Sequence, residues 1–295
     1  MRGSYRHSRQ FLRGNLVSIM TDADYVRFIK AYLPQLGLRW QGFRKVRRQV
    51  IRRLKRRLRE LGLQDLSAYT AYIERYPEEW VVLDACCWIT VSRFYRDPDV
   101  FDVLRNNVLP SLAQVVSVEQ QRELRCWSVG CASGEEVYTL KMIWERCLSS
   151  QFPELRLRIM ATDADPHMLE RARRGWYTLG SLKTLPSQWR TWGFDRCCGG
   201  YVVRQALREG ISFVEQDIRT NHPEGQFHLI LCRNLVFTYF VEPVQREVLE
   251  QITEHLVPGG ILVVGKHESL PPRTRQVGAY DEPHGLYQRV QAAAC

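Results

Sequence analysis

Apolar runs and helical patterns alternate through the C-terminal two-thirds of the chain. The runs are Leu124–Gly130, Leu157–Asp163, Ile211–Asp217, Phe227–Arg233 and Gly260–Gly265. Among them, Glu135–Cys147, Pro166–Arg174 and Pro243–Leu256 repeat apolar residues at helical spacing. A strand that is apolar on both faces must be covered on both faces, and interleaved helices supply that cover. We therefore expect an α/β fold with a mainly parallel sheet, preceded by a small all-helical domain. Such sheets bind ligands beyond the carboxyl ends of their strands. The residues that follow each run are the candidate site.

The N-terminal part differs in character. Residues 1–20 hold Arg2, Arg6, Arg9 and Arg13 without an amphipathic repeat and are expected to be disordered. Residues 21–83 are expected to form the helical domain and 84–295 the sheet domain. In Phe43–Leu61, Val46, Val50, Leu54 and Leu58 recur every fourth residue, and nearly every other position is Arg or Lys. Gly62 closes this helix, Leu66–Ile73 begins another, and Pro77 ends it. The net charge of +10 gathers largely on the first of these helices. Its field either keeps the chain soluble or draws an anion: an acidic protein helix, RNA or a membrane surface.

No segment approaches the roughly 20 apolar residues of a membrane helix, and the N-terminus lacks the apolar core of an export signal. A cytoplasmic protein without membrane insertion is expected. The nine cysteines include no pair at C-x-x-C spacing, so no zinc or other metal is expected. Cys126 and Cys232 read as core residues. The neighbouring pairs Cys86-Cys87 and Cys197-Cys198 are poorly placed to bridge themselves, and all thiols are read as reduced.

At the strand ends the residues become informative. Gly130-Cys-Ala-Ser-Gly134-Glu135-Glu136 joins the first strand to a helix, and its glycines permit a tight turn close to a ligand. Two carboxylates at that turn repel phosphate and suit a cation bearing an ammonium and a sulfonium. The bland reading is a turn whose acids complement the helix dipole. Of Asp163 and Asp165 after the second strand, one suits ribose hydroxyls, and Asp165 before Pro166 suits a helix cap. Asp217 with Ile218 can meet an adenine at its amino group and face. Arg233 and Asn234, leaving a buried strand ahead of Tyr239-Phe240, need partners that a ligand site provides. Upstream, Thr90-Val-Ser92-Arg93-Phe94-Tyr95-Arg96-Asp97 is either a linker or the cover of a cleft. The spacing from the glycine loop to Asp163 exceeds the ~20 residues of dinucleotide enzymes, which counts against a nicotinamide cofactor.

Taken in order, Ser92–Asp97, Gly130–Glu136, Ala161–Asp165, Cys232–Phe240 and Leu256–Leu270 resemble the motifs of the CheR family of chemotaxis receptor glutamate methyltransferases. The resemblance spans nearly the whole chain. It implies a Rossmann-like class I methyltransferase domain and S-adenosylmethionine as cofactor, with S-adenosylhomocysteine as product. By matching position it places Thr90, Ser92, Arg96, Gly130, Gly134, Glu135, Asp163, Asp217, Ile218, Arg233 and Asn234 at the cofactor. It also places Arg96 and Tyr239 at the substrate carboxylate. Arg44, Lys45, Arg48, Arg52, Lys55, Arg56 and Arg59 would then face an acidic helical partner such as a receptor cytoplasmic domain. The chain departs from the family pattern at Thr90, which stands for an asparagine, at His228, and by one extra residue before Tyr239. Phe194–Ile211 is short for the small β-subdomain with which some relatives grip a receptor tail, which counts against such tethering.

The function expected is methyl transfer to a glutamate side chain of a partner protein. Rivals are an RNA or small-molecule methyltransferase, disfavoured for RNA by the lack of a base-stacking aromatic motif, and a cofactor-binding signalling protein without turnover.

Overall fold

The computed structural model describes residues 20–290, so nearly all of the basic segment expected to be disordered lies outside the described residues. Helix α1 (Asp22–Tyr32) opens on a reciprocal cap. Thr21 Oγ1 accepts the Asp24 N–H, and the Asp24 carboxylate accepts the Thr21 N–H. The single turn α2 (Trp40–Phe43) leads into α3 (Arg47–Glu60), which buries Val50, Ile51, Leu54 and Leu58 and is followed by Gly62 at φ +66°. Asp65 caps α4 (Leu66–Arg75) by accepting the Ala68 N–H at 2.8 Å. Helix α5 (Glu79–Cys86) runs across the border expected between residues 83 and 84.

The sheet region continues as α6 (Pro98–Val103), α7 (Leu109–Val118), β1 (Glu123–Val129), α8 (Glu135–Ile143), β2 (Arg156–Asp163) and α9 (Pro166–Arg174). Then come β3 (Trp176–Tyr177), α10 (Ser187–Gly193), β4 (Phe194–Cys197), β5 (Gly200–Val203), β6 (Ile211–Glu215) and β7 (Phe227–Cys232). The chain closes with α11 (Val236–Tyr239), α12 (Glu242–Glu254), β8 (Leu256–Val264), β9 (Val277–Asp281) and β10 (Leu286–Arg289).

The main sheet has the order β6-β2-β1-β7-β8-β10-β9. The five runs read from the sequence form its parallel part, with Cys126 opposite Ile159 and Leu229, while β10 lies antiparallel to β8 and β9. Strand alternation sorts side chains between two apolar clusters. Cys126, Leu229, Leu231 and Val263 pack with α7 and α8 on one face. Trp127, Val129, Ile230, Cys232 and Val264 pack on the other with α12 and with Tyr25, Phe43, Leu54 and Tyr69 of the N-terminal helices. The helical region thus covers one face of the sheet and shares its core.

One expectation is corrected. A small antiparallel sheet, β3-β5-β4, stands between α9 and β6. Its missed strands are short: Trp176–Tyr177 comes from upstream of the stretch thought too short, and the rest is a hairpin of four-residue strands. Among the described residues no helix is long and apolar enough to cross a membrane.

A buried carboxylate ties the N-terminal helices together. Glu79 accepts Arg57 Nε at 2.9 Å, the terminal Arg57 nitrogen at 2.7 Å and the Tyr69 hydroxyl at 2.8 Å. Glu79→Ala is expected to cost about 3 kcal/mol in chemical denaturation, because a cation and a buried hydroxyl lose their acceptor. Burial pulls the Glu79 pKa up, but the Arg57 and Tyr69 bonds override it and leave it below its ordinary value. The ionised form therefore stabilises the fold above the unfolded carboxylate pKa of ~4.3, and this contribution fades as pH falls through the lower folded value. Glu79→Gln should flatten that part of the stability–pH curve.

Candidate active site

A cavity opens at the carboxyl ends of β1, β2, β6 and β7. Its walls come from both regions of the chain, with Phe43 and Asp84 from the helices and Trp88–Arg93 from the stretch between. Arg53 of α3 holds that stretch by donating to the carbonyls of Cys86 and Trp88. Beyond it, Phe94 and Tyr95 are buried anchors. Phe94 meets the rings of Tyr177 and Phe194 edge-on, and the Tyr95 N–H donates to Thr139 Oγ1 at 3.1 Å. Tyr95 and Asp97 both take left-handed backbone angles, φ +53° and +59°. Each costs an L-residue roughly 1–2 kcal/mol. The tight bend they make leaves Arg96 in the cavity wall.

The glycine loop supplies the floor. Gly130 has φ +69°, and a Cβ there would stand 2.5 Å from Leu235. The Ala132 N–H donates to Asp163 at 2.8 Å and the Asp165 N–H at 2.9 Å, while Asp165 caps α9. Burial pushes the Asp163 carboxyl up, against those backbone bonds. Gly134 lies outside the cavity wall, against Ala172, Tyr138 and Tyr177, so its lack of a side chain serves packing. Glu135 is buried beside Ser133, whose hydroxyl it accepts at 2.9 Å, and does not line the cavity. Glu136 lines it instead. Successive helical residues point roughly 100° apart, and the first turn of α8 directs the second glutamate to the ligand side.

Glu136 accepts the Ser128 hydroxyl at 2.8 Å and an Arg233 nitrogen at 3.2 Å. Arg233 also pairs with Asp97 at 2.8 Å, donates to the Arg96 carbonyl and covers the Phe101 ring. It is a neutralised buttress whose Nε has no partner. At the end of β6, Asp217 is held by Arg219, which also grips Asp84 of α5. Burial raises the Asp217 carboxyl, but the Arg219 bonds prevail and leave it below its usual value. Next to it, Gln216 Oε1 is buried without a partner. A spare acceptor in a cavity wall fits a ligand that brings an amino or hydroxyl group.

Arg96 donates to the Val91 carbonyl and to Asn234 Oδ1, both at 2.8 Å, and pairs with no carboxylate among the described residues. Asn234, at φ +57°, is fixed by its N–H to Glu268 at 2.7 Å. Tyr239 lies in the wall with its ring 5.0 Å from Phe43. Burial pushes its hydroxyl up to about 12, with Arg96 opposing, so it stays protonated near neutrality. The structure thus gathers Thr90, Ser92, Arg96, Gly130, Asp163, Asp217, Ile218, Arg233, Asn234 and Tyr239 around one cavity. Phe43, Gln216 and Glu268 were missed. Glu268 stands in the Leu256–Leu270 segment, but no local pattern reveals that it folds back under the Asn234 turn.

On α3 and in the turn just before it, the residues named for docking, Arg44, Lys45, Arg48, Arg52, Lys55, Arg56 and Arg59, are all exposed. Arg47 joins them at the surface, while Arg53 and Arg57 turn inward to hold the linker and Glu79.

A mainly parallel sheet with acidic and amide groups at the ends of β1, β2 and β6, and a cavity suited to a nucleoside, defines an S-adenosylmethionine-dependent methyltransferase. The family model "CheR methyltransferase, SAM binding domain" matches residues 90–285, and "CheR methyltransferase, all-alpha domain" matches residues 45–83. The chain belongs to the CheR methyltransferase family. It is 29% identical to a chemotaxis protein methyltransferase of Listeria monocytogenes over 84% of this chain and 91% of that one. It is 31% identical to chemotaxis protein methyltransferase 1 of Pseudomonas aeruginosa over 74% and 80%. A 104.1 kDa uncharacterized protein of Rhodobacter capsulatus matches at 29% over 83% of this chain, which spans only 25% of that protein.

Proposed function

We propose that this enzyme methylates the side-chain carboxylate of a glutamate in an acidic helical protein of the cytoplasm, such as the cytoplasmic part of a chemoreceptor. The observation that carries this reading is Arg96. It is a guanidinium in the cavity wall, held by neutral acceptors and left without a carboxylate, next to an Arg233 that has two. An incoming carboxylate completes it.

The remaining residues support a division of labour. Asp163 would hold ribose hydroxyls, Gln216, Asp217 and Ile218 the adenine, and Glu136 with the Gly130–Ala132 backbone the amino-acid end of S-adenosylmethionine. When bound, this cofactor supplies an electrophilic methyl group on a sulfonium. A glutamate is already ionised near neutrality, so the protein needs no strong base. Arg96 can hold the carboxylate by paired hydrogen bonds and set its line of approach. Tyr239, still protonated, can donate to the same oxygen pair. Methylation removes the carboxylate charge, so pairing that is too strong would favour the substrate over the transition state. Arg96 accordingly positions more than it activates.

The exposed cations of α3 fit the partner. The test uses labelled cofactor and an acidic helical receptor fragment, and the expected product is a base-labile methyl ester on that fragment. Arg48→Glu with Arg52→Glu should lower kcat/KM about 10–100-fold at low salt with little change in kcat. Label that resists base, or transfer indifferent to those reversals and to salt, would refute the assignment.

A further inference from the structure

Cys197 and Cys198 stand at the tip of the β4–β5 hairpin, outside the cavity. Cys198 and Gly199 have φ of +51° and +75°, and Cys197 pairs with Gly200 across the turn. This two-residue turn is the one that Asn-Gly serves best. A cysteine at its first position meets a steric cost that glycine or asparagine avoids. It gains no burial in return, because both cysteines are exposed. Free cysteine is ordinarily among the most buried residue types. With Cys198 in the left-handed turn rather than in the strand, the two sulfurs lie 3.2 Å apart. The other adjacent pair, Cys86-Cys87, is enclosed in the core.

We propose that Cys197 and Cys198 form an exposed dithiol site for a trivalent arsenical. The site offers two sulfurs and no more, since the described residues hold no cluster of three or more His, Cys, Asp or Glu able to take a metal. A four-coordinate ion such as zinc is therefore poorly served. Trivalent arsenic takes two thiols and keeps its third substituent. With hydrated phenylarsine oxide, two S–H and two As–O bonds break, two As–S bonds form and two waters leave, with no change of oxidation state. A direct disulfide between neighbours demands geometry that a tight turn opposes, so the pair remains available as a dithiol.

The test titrates the reduced 295-residue chain with phenylarsine oxide, read by intact mass and by residual thiols. One arsenical per chain and the loss of two thiols are expected, reversed by 2,3-dimercaptopropanol but not by the same thiol concentration of β-mercaptoethanol. Cys198→Gly suits the left-handed turn and should fold. It should bind about 100-fold more weakly, because the second thiol no longer adds within the same molecule. Cys147→Ser and Cys295→Ser should keep full uptake. Absence of a stable adduct in the natural chain, or undiminished uptake by Cys198→Gly, overturns the proposal.

Discussion

Arg96→Ala is expected to lower kcat/KM for methyl transfer about 1000-fold while the protein stays folded. That is a loss of about 4 kcal/mol of transition-state stabilisation. Among the described residues the side chain bonds only the Val91 carbonyl and Asn234 Oδ1, so its removal strands no buried charge there. The loss should divide unequally. Misalignment of the attacking oxygen should account for about 100-fold in kcat, and loss of the charged contact for about 10-fold in KM. Affinity for S-adenosylhomocysteine, measured by calorimetry, should fall by no more than about 10-fold, the worth of one neutral hydrogen bond through Asn234. Arg96→Lys should recover only part of the activity, because an ammonium cannot bond both carboxylate oxygens in one plane. Unchanged turnover by Arg96→Ala with an identified protein substrate would remove Arg96 from the reaction.

The sheet was legible because its strands are apolar on both faces, a pattern that parallel pairing alone accommodates with helices on each side. β1, β2 and β7 begin and end within one residue of the runs read from sequence. The strand-end rule then located the cavity, since Gly130, Asp163, Asp217 and Arg233 each close one of the runs and all four line it. Finer assignments depend on direction, which composition does not encode. Glu135 and Glu136 are identical in sequence terms, and only the helix phase at Gly134 turns the second toward the ligand. Arg53 and Arg57 look like members of the basic face, yet they sit beside the apolar stripe of α3 and reach back to the linker and Glu79. The small sheet escaped because strands of two and four residues show no usable period. Phe43 lies outside the fourfold repeat of Val46, Val50, Leu54 and Leu58, yet it is fully buried and its ring backs Tyr239. That contact links residues far apart in the chain, and no motif announces it.

Glu268→Ala is expected to be nearly as damaging as the loss of Arg96, by a different route. One carboxylate oxygen accepts the backbone N–H groups of Asn234 at 2.7 Å and Gly265 at 2.6 Å, and the other accepts the Thr238 hydroxyl at 2.5 Å. These bonds clamp Asn234 in its left-handed conformation and hold α11, which carries Tyr239. Alanine leaves two enclosed N–H groups without an acceptor, a cost of about 1–3 kcal/mol each. The turn that presents both Asn234 and Tyr239 relaxes, and kcat should fall about 100-fold. Glu268→Gln behaves differently. Its amide oxygen can accept both N–H groups, and its NH2 can donate to Thr238, whose hydroxyl reverses its role. Activity near the natural level is therefore expected from the glutamine variant. Stability supplies an independent readout. Burial raises the Glu268 carboxyl, against the three hydrogen bonds and the Arg233 charge that faces it, while Cys232 and Tyr239 stand nearby. The folded state then binds protons more tightly than the unfolded chain, so this group's contribution weakens as pH rises from ~4.3 through the raised value. At neutral pH the glutamine variant, free of a desolvated charge, should unfold at equal or higher denaturant than the natural chain. If Glu268→Gln lost turnover as completely as Glu268→Ala, the negative charge itself would be required, and a purely positional role for Glu268 would be ruled out.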